Sequence, residues 1–357
     1  MKIVILVNNL TAGGAERVAA MWAEGFHKRG HEVSVVIFDD KSPITYKIPP
    51  EVGIICVATK TRNKLIRSLL RIYKLYKVLK KEKCDVLIDV MPTFWKRVAM
   101  IGMKCKKVST EHWSFERPRN ATIRPKKINK IYLNRLYNHV TVLTQADKNV
   151  IGNQLKNVTV LPNPLALPPA KDMPPKKKVI LATGRLDAWY VKGFDVLIKA
   201  WAKIADKTEG WKVQIVGDSK KGGLEGLQRL CAEYGVNSSV EFVGFQSDIL
   251  PFYQDASIFV LSSRYEGFGL VLIEAMSQGC ACIACDYKGR QKEIIQSKDV
   301  GVICKPDNVD NISSAILFLI HDEQKRRVMG ENAVRRSMDF SLDKIMERWD
   351  EILKDLV

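Results

Sequence analysis

Short unbroken runs of Val, Ile and Leu recur along this chain, and each is followed by a stretch of helical periodicity. Lys2–Val7, Val33–Phe38, Ile54–Val57, Val86–Val90, Val108–Thr110, Val140–Leu143 and Val158–Leu161 read as strands of a first half. Val179–Thr183, Lys212–Val216, Val240–Val243, Ile258–Leu261, Ala281–Ala284 and Gly301–Ile303 repeat the rhythm in a second. Strands that do not alternate polar and apolar residues are buried on both faces, so the pattern requires parallel sheets covered by helices on each side. Six prolines across residues 162–175 neither continue a helix nor join a central strand, and they mark the boundary. The expected organisation is residues 1–164 as one doubly wound domain, 165–177 as linker, and 178–338 as the second domain. An amphipathic helix follows over 339–357, with Ile345, Trp349, Ile352 and Leu356 on the stripe that packs back.

Composition narrows the function classes. At 357 residues and 46% hydrophobic, the chain has material for two cores. Its longest apolar runs fall far short of the ~20 residues of a membrane span, and the first is too short for a signal peptide, so a cytoplasmic location is expected. Eight scattered cysteines fit a reducing compartment. The run Cys280-Ala-Cys282-Ile-Ala-Cys285 contains a Cys-x-x-Cys, but no second ligand pair accompanies it. A buried strand using cysteine as a small hydrophobe explains it better than zinc.

The net charge of +18 is confined to one half. Residues 1–165 hold 30 Lys and Arg against 12 Asp and Glu, whereas residues 166–357 hold 27 of each. Lys60–Lys83 carries ten basic residues and one acid, with Leu65, Leu69, Ile72, Tyr76 and Leu79 at helical spacing. Arg117–Arg135 carries seven basic residues and no acid. Both segments read either as solvated basic faces or as contacts to an anionic membrane surface, which would make the protein peripheral at the inner face of the membrane. Nucleic-acid binding is the other use of a basic half, but it leaves the segment described next without a role.

That segment is Arg264-Tyr-Glu266-Gly-Phe268-Gly269-Leu270-Val-Leu-Ile-Glu274. A glycine turn presents the amides of Phe268, Gly269 and Leu270 at a helix start, where phosphate oxygens are stabilised. Glu274 sits inside an otherwise apolar helix and needs donors, which a ribose diol supplies. Earlier, Gly184-Arg185-Leu186 and Lys192-Gly193 follow a strand, and a guanidinium fork with an ammonium suits a diphosphate. Near the N-terminus, Gly13-Gly14-Ala15-Glu16 joins the first strand to the first helix. It matches neither a dinucleotide fingerprint nor a Walker loop.

Glu266 and Glu274 form an E-x7-E pattern, and with Gly184-Arg185-Leu186, Lys192-Gly193 and Gly13-Gly14-Ala15-Glu16 the chain resembles glycosyltransferase family 4. The resemblance implies the GT-B fold, α/β, with two Rossmann-like doubly wound domains facing across a cleft. It implies retaining transfer from a nucleotide-diphosphate sugar, a UDP-sugar by prevalence, without a bound metal; the sequence contains no Asp-x-Asp. It implies that Glu274 holds the ribose, that Arg185 and Lys192 hold the diphosphate, and that Glu266 lies beside the donor sugar. His112 resembles the histidine facing that sugar, and Gly14 would lie against the diphosphate or acceptor. A lipid-linked oligosaccharide is the expected acceptor, in bacterial surface polysaccharide or glycan assembly. A nucleotide-sugar epimerase or a phosphorylase of the same fold is the alternative. Two features depart from the pattern: the longer insertion Asp187–Val191 before Lys192, and Arg290 in place of proline in the loop Asp286–Glu293.

Overall fold

The apolar runs form two all-parallel sheets. The structure is a computed structural model that describes the chain apart from residue 12, residues 40–42, residues 117–126 and residue 357, with the side chains of 127–129 also left aside. The part of the basic stretch from Arg117 to Lys126 therefore lies outside the described residues. The chain divides into one unit comprising Met1–Ala166 and Ser341–Val357, and a second comprising Leu167–Phe340.

In the first unit, β1 (Lys2–Leu6), β2 (Glu32–Ile37), β3 (Gly53–Cys56), β4 (Val86–Val90), β5 (Lys106–Glu111), β6 (His139–Val142) and β7 (Val158–Val160) are ordered β3-β2-β1-β4-β5-β6-β7. In the second, β8 (Lys177–Thr183), β9 (Lys212–Val216), β10 (Val240–Gly244), β11 (Ala256–Leu261), β12 (Ala281–Cys285) and β13 (Gly301–Cys304) are ordered β10-β9-β8-β11-β12-β13. Each order reverses direction once, between β1 and β4 and between β8 and β11. Crossovers diverge there, leaving the carboxyl ends of the two strands uncovered, which is where doubly wound folds bind ligands.

The central strands are buried throughout, as continuous aliphatic runs demand. Val86–Val90 and Ala256–Leu261 have no exposed member. The cysteine-rich run is β12, a fully buried strand between β11 and β13. The Cys280 thiol donates to the Tyr253 carbonyl at 3.2 Å, and burial pushes the thiols of Cys280 and Cys282 up.

Residues 161–176 contain neither helix nor strand. From Leu167 onward, however, the proline-rich stretch is bonded to the second unit. Gln278 donates to the Pro168 carbonyl at 2.8 Å, the Ala170 amide to the Ser277 carbonyl at 2.9 Å, and Lys176 Nζ to the Gln278 carbonyl at 2.7 Å.

The helix Lys64–Glu82 differs from its sequence pattern. Asn63 caps it, its side chain accepting from the amides of Leu65 and Ile66. Leu75 and Leu79 face the core, with Ile72 and Val78 partly buried, whereas Leu65, Leu69 and Tyr76 are exposed. The helix has apolar residues on two faces, and periodicity alone does not tell which one meets the sheet.

The last helix, Leu342–Leu356, belongs to the first unit. Its Trp349 is fully buried, edge-on to Trp22 at 5.1 Å and to Phe26 at 5.4 Å between ring centroids. Both partners lie on the helix Gly14–Lys28, which follows β1. Trp349→Ala removes the centre of this aromatic cluster and should cost the first unit about 3–5 kcal/mol. Urea titration followed by tryptophan fluorescence checks this, and an unchanged midpoint would mean that the terminal helix is not part of that core.

Candidate active site

In the second unit the site is built where β8 and β11 end. Strand β8 ends at Thr183 and passes through Gly184 and Arg185 into a short helical insertion that ends with Trp189–Lys192. Gly193 caps that turn in the left-handed region, at φ 66°, and starts the helix Phe194–Ala202. A Cβ on Gly193 would lie 2.0 Å from the Ser262 carbonyl oxygen, just past β11. Only glycine satisfies both the backbone angle and the contact. The Arg264 amide donates to the Val191 carbonyl at 2.9 Å and Ser262 Oγ to the Lys192 carbonyl at 2.9 Å, so residues 191–193 are stitched to 262–264.

This stitching brings Lys192 to Glu266. The ammonium sits 2.6 Å from Glu266 Oε1, which also accepts from Ser263 Oγ at 2.9 Å. The longer insertion thus forms a compact turn delivering Lys192 to the carboxylate. Its first residue, Asp187, accepts from the amides of Lys220 at 2.8 Å and Lys221 at 2.9 Å, and those bonds hold its carboxyl below the usual carboxylate range. Arg185 stands one residue past Gly184, exposed, and its guanidinium has no hydrogen-bond or ion-pair partner among the described residues.

The glycine turn after β11 leads into the helix Leu270–Ser277, with Gly269 as its N-cap at φ 104°. No side chain caps this helix, and the amides of Phe268, Gly269 and Leu270 have no partner among the described residues. Phe268 itself is buried against Phe340, with ring centroids 5.5 Å apart. Glu274, on the buried face of the helix, accepts from the Tyr253 hydroxyl at 3.1 Å. Burial, reinforced by that carboxylate, pushes the Tyr253 phenol well up, so Tyr253 stays a donor. Arg290 is fully buried, its guanidinium 5.2 Å from the centroid of the Tyr287 ring.

Sequence reasoning missed Tyr253 and the clamp around Arg264. The Arg264 guanidinium forms a two-pronged pair with Asp195, both contacts at 2.7 Å, reaches Asp307 at 2.7 Å and covers the Tyr190 ring at 4.1 Å. The hydrogen bonds to Asp195 raise its pKa. The clamp fixes the insertion from its far side.

In the first unit, Gly14 is the exposed first residue of the helix Gly14–Lys28. The turn before it is held by Tyr46, another residue without a sequence signal. The Gly13 amide donates to Tyr46 Oη at 2.9 Å, and the hydroxyl donates to the Gly13 carbonyl at 3.0 Å. His112 follows β5, partly buried, with Trp22 beside its ring at 5.6 Å and Thr110 Oγ1 3.3 Å from Nε2. Burial lowers its pKa to about 4; Asn163 draws it upward and the Lys130 charge downward. Among the described residues, no group of three or more His, Cys, Asp or Glu is placed to hold a metal ion.

Two parallel-sheet α/β units, with glycine turns and cations at the strand reversals, are the architecture of GT-B glycosyltransferases. Residues 12–167 match the glycosyltransferase family 4 description, and residues 166–336 match that of glycosyl transferases group 1. The chain belongs to this glycosyltransferase family and is a transferase. An uncharacterized glycosyltransferase of Haemophilus influenzae is 29% identical over 99% of both chains. The Campylobacter jejuni enzyme GalNAc-alpha-(1->4)-GalNAc-alpha-(1->3)-diNAcBac-PP-undecaprenol alpha-1,4-N-acetyl-D-galactosaminyltransferase is 28% identical over 100% of this chain and 99% of its own. Among solved structures, Anabaena HepE in complex with UDP and glucose has the same fold, with a TM-score of 0.81, 20% identity and 100% of both chains covered.

The low pKa of His112 has a consequence for stability. Because the folded ring titrates near 4 and an unfolded one near 6.5, the unfolded chain binds the extra proton first as pH falls. His112 therefore contributes stability above pH 6.5 that is lost progressively between 6.5 and 4. Urea midpoints measured across that range should fall less steeply for His112→Gln than for the unaltered protein. Equal slopes would mean that folding leaves the pKa of the ring unshifted.

Proposed function

We propose that this glycosyltransferase transfers a hexose or N-acetylhexosamine, with retention of configuration, from a UDP-sugar to a lipid-linked glycan in bacterial surface polysaccharide or glycan assembly. The observation that carries the donor assignment is the cluster at the β8 and β11 ends. It combines the Lys192–Glu266 ion pair at 2.6 Å with a guanidinium at Arg185 and three amides at the start of the Leu270–Ser277 helix that have no partner among the described residues. Such a set stabilises two adjacent phosphates and the charge that grows on them as the sugar leaves. HepE, of the same fold, has been solved with UDP and glucose, which supports UDP as the nucleotide. The Campylobacter relative acts on an undecaprenol-diphosphate glycan, which supports a lipid-linked acceptor.

In this reading Arg185, Lys192 and the amides of Phe268, Gly269 and Leu270 hold the diphosphate. Glu274, already oriented by Tyr253, accepts from the ribose hydroxyls. Glu266 orients the donor sugar's hydroxyls, its charge balanced by Lys192. His112, neutral at physiological pH because of its lowered pKa, serves as a hydrogen-bonding group toward the sugar. Gly14 leaves room for the diphosphate or the acceptor. The acceptor oxygen bonds to the anomeric carbon on the face from which the diphosphate departs. The anomeric C–O bond breaks, and the departing phosphate takes the acceptor's proton.

Thermal-shift measurement with UDP-, GDP- and ADP-sugars tests the nucleotide, and stabilisation by the UDP-sugars alone is expected. Glu274→Gln keeps the shape of the side chain but loses its charge, and should weaken UDP binding by about 2 kcal/mol in calorimetry. Arg185→Ala, at an exposed position, should lower kcat by about tenfold or more while leaving the melting temperature in place. Unchanged UDP affinity for the first variant and unchanged turnover for the second would remove these residues from the site.

A further inference from the structure

Lys176, the residue before β8, sets its ammonium into the second unit without a carboxylate partner. It is partly buried, burial lowers its pKa, and among the described residues no ion pair reaches it. The neighbouring Lys177 is the one that pairs with Asp255, at 2.8 Å. Lys176 Nζ instead donates to the Tyr253 carbonyl at 3.0 Å and to the Gln278 carbonyl at 2.7 Å, with Cys280 Sγ 3.9 Å away. Taking an ammonium out of water is costly, and the two carbonyls are what this placement gains in return.

Those carbonyls belong to the ends of different helices. Tyr253 lies in the last turn of Leu250–Asp255, and Gln278 is the C-cap of Leu270–Ser277. Helix C-termini leave carbonyls without intrahelical partners and carry partial negative charge, so a cation is favourable there. The same two helices supply the side chains that meet beside the site, the Tyr253 hydroxyl donating to Glu274 at 3.1 Å. One ammonium therefore ties the backbones behind both members of that contact. The end of the Glu274 helix has other fastenings: the Ala170 amide bonds to the Ser277 carbonyl, the Gln278 side chain to the Pro168 carbonyl, and a Cβ on Gly330 would lie 2.3 Å from the Gly279 carbonyl oxygen. None of these touches Tyr253. Lys176 reaches both segments, and so it fixes the spacing between them.

We propose that Lys176 is a positioning residue for ribose recognition. By bridging the Tyr253 and Gln278 carbonyls it holds the Tyr253 hydroxyl against Glu274, which keeps that carboxylate in place for the ribose hydroxyls of the donor nucleotide. This role rests on the reading of Glu274 as the ribose acceptor, and Lys176 acts only through it.

Calorimetry on the full chain with UDP and with 2′,3′-dideoxyuridine 5′-diphosphate, which lacks both ribose hydroxyls, tests it. K176M keeps an unbranched stem and removes the donors. It should bind UDP about fivefold less tightly and the dideoxy compound as the unaltered protein does, which narrows the ratio of the two affinities. K176Q, whose amide still donates, should narrow the ratio less and serves where K176M does not fold. Y253F should narrow it too, and adding K176M to Y253F should change it no further, since both act on the same carboxylate. Equal weakening of both ligands by K176M is what a merely structural lysine would give, and it overturns the proposal. So does an unchanged ratio in the folded Lys176 variants, or a further narrowing when K176M joins Y253F. In each of those cases a narrowed ratio in E274Q leaves the donor reading standing. An unchanged ratio in E274Q strikes the donor reading itself, and the role of Lys176 with it.

Discussion

Everything in the second unit depends on how closely the backbone segments leaving β8, β9 and β11 approach one another. Gly193 lies against the Ser262 carbonyl. A Cβ on Gly217, just after β9, would stand 1.8 Å from the Gly184 carbonyl oxygen. Neither contact tolerates a side chain, and both involve backbone atoms that cannot swing aside. With the segments pressed together, Lys192 spans from one strand end to the other and its stem lies across Gly184. Even one methyl group at Gly193 would force apart the ends that hold the cation and the carboxylate. The Arg264 clamp on Asp195 and Asp307 then acts as a brace on a geometry that the glycines make sterically accessible.

The cluster is electrically asymmetric. Lys192 is balanced by Glu266, so the pair contributes orientation and little net charge. Glu274 is buried and directed to Tyr253. Among the described residues, the Arg185 guanidinium and the amides at the positive helix end at Gly269 stand without partners. A local excess of positive potential in a neutral half of the chain is the arrangement a dianionic group seeks. The two cations therefore differ in state: Lys192 is held by a carboxylate, whereas Arg185 is exposed and has no partner among the described residues.

The sheets were legible in the sequence because buried parallel strands are written as continuous Val, Ile and Leu runs, and these were read nearly residue by residue. The glycine turn at 267–269 and the cations at 185 and 192 were legible because each lies between the end of a strand and the helix that follows it. The partners of these residues were not. Tyr253 is 21 positions from Glu274, and Asp195 and Asp307 lie 69 and 43 positions from Arg264. Only the folding of separate crossovers onto one sheet brings such residues together, and no local spacing encodes it. The helix Lys64–Glu82 shows a different limit. Its periodicity marks a helix but does not say which of two apolar faces is buried, because that depends on what the sheet presents.

Several acids of the first unit are engaged by neighbouring groups. Asp89 is fully buried, 2.9 Å from the equally buried Lys96, and accepts from the Tyr137 hydroxyl at 2.6 Å. Glu111 accepts from Asn134 at 2.7 Å and pairs with Lys130 at 2.7 Å. Asp147 accepts from the Phe115 amide, Asp85 from the Lys2 amide, and Glu82 pairs with Lys2. A buried pair of opposite charges is neutral when viewed from outside, so such a pair leaves the net charge of the unit unchanged. One cation is withdrawn with Asp89 and another is tied to Glu111, but the run along Lys60–Lys83 keeps its charge exposed. These pairs withdraw equal charge of both signs, so the first unit keeps its cationic excess, with a dense share of it on the helix that also exposes its leucines and tyrosines.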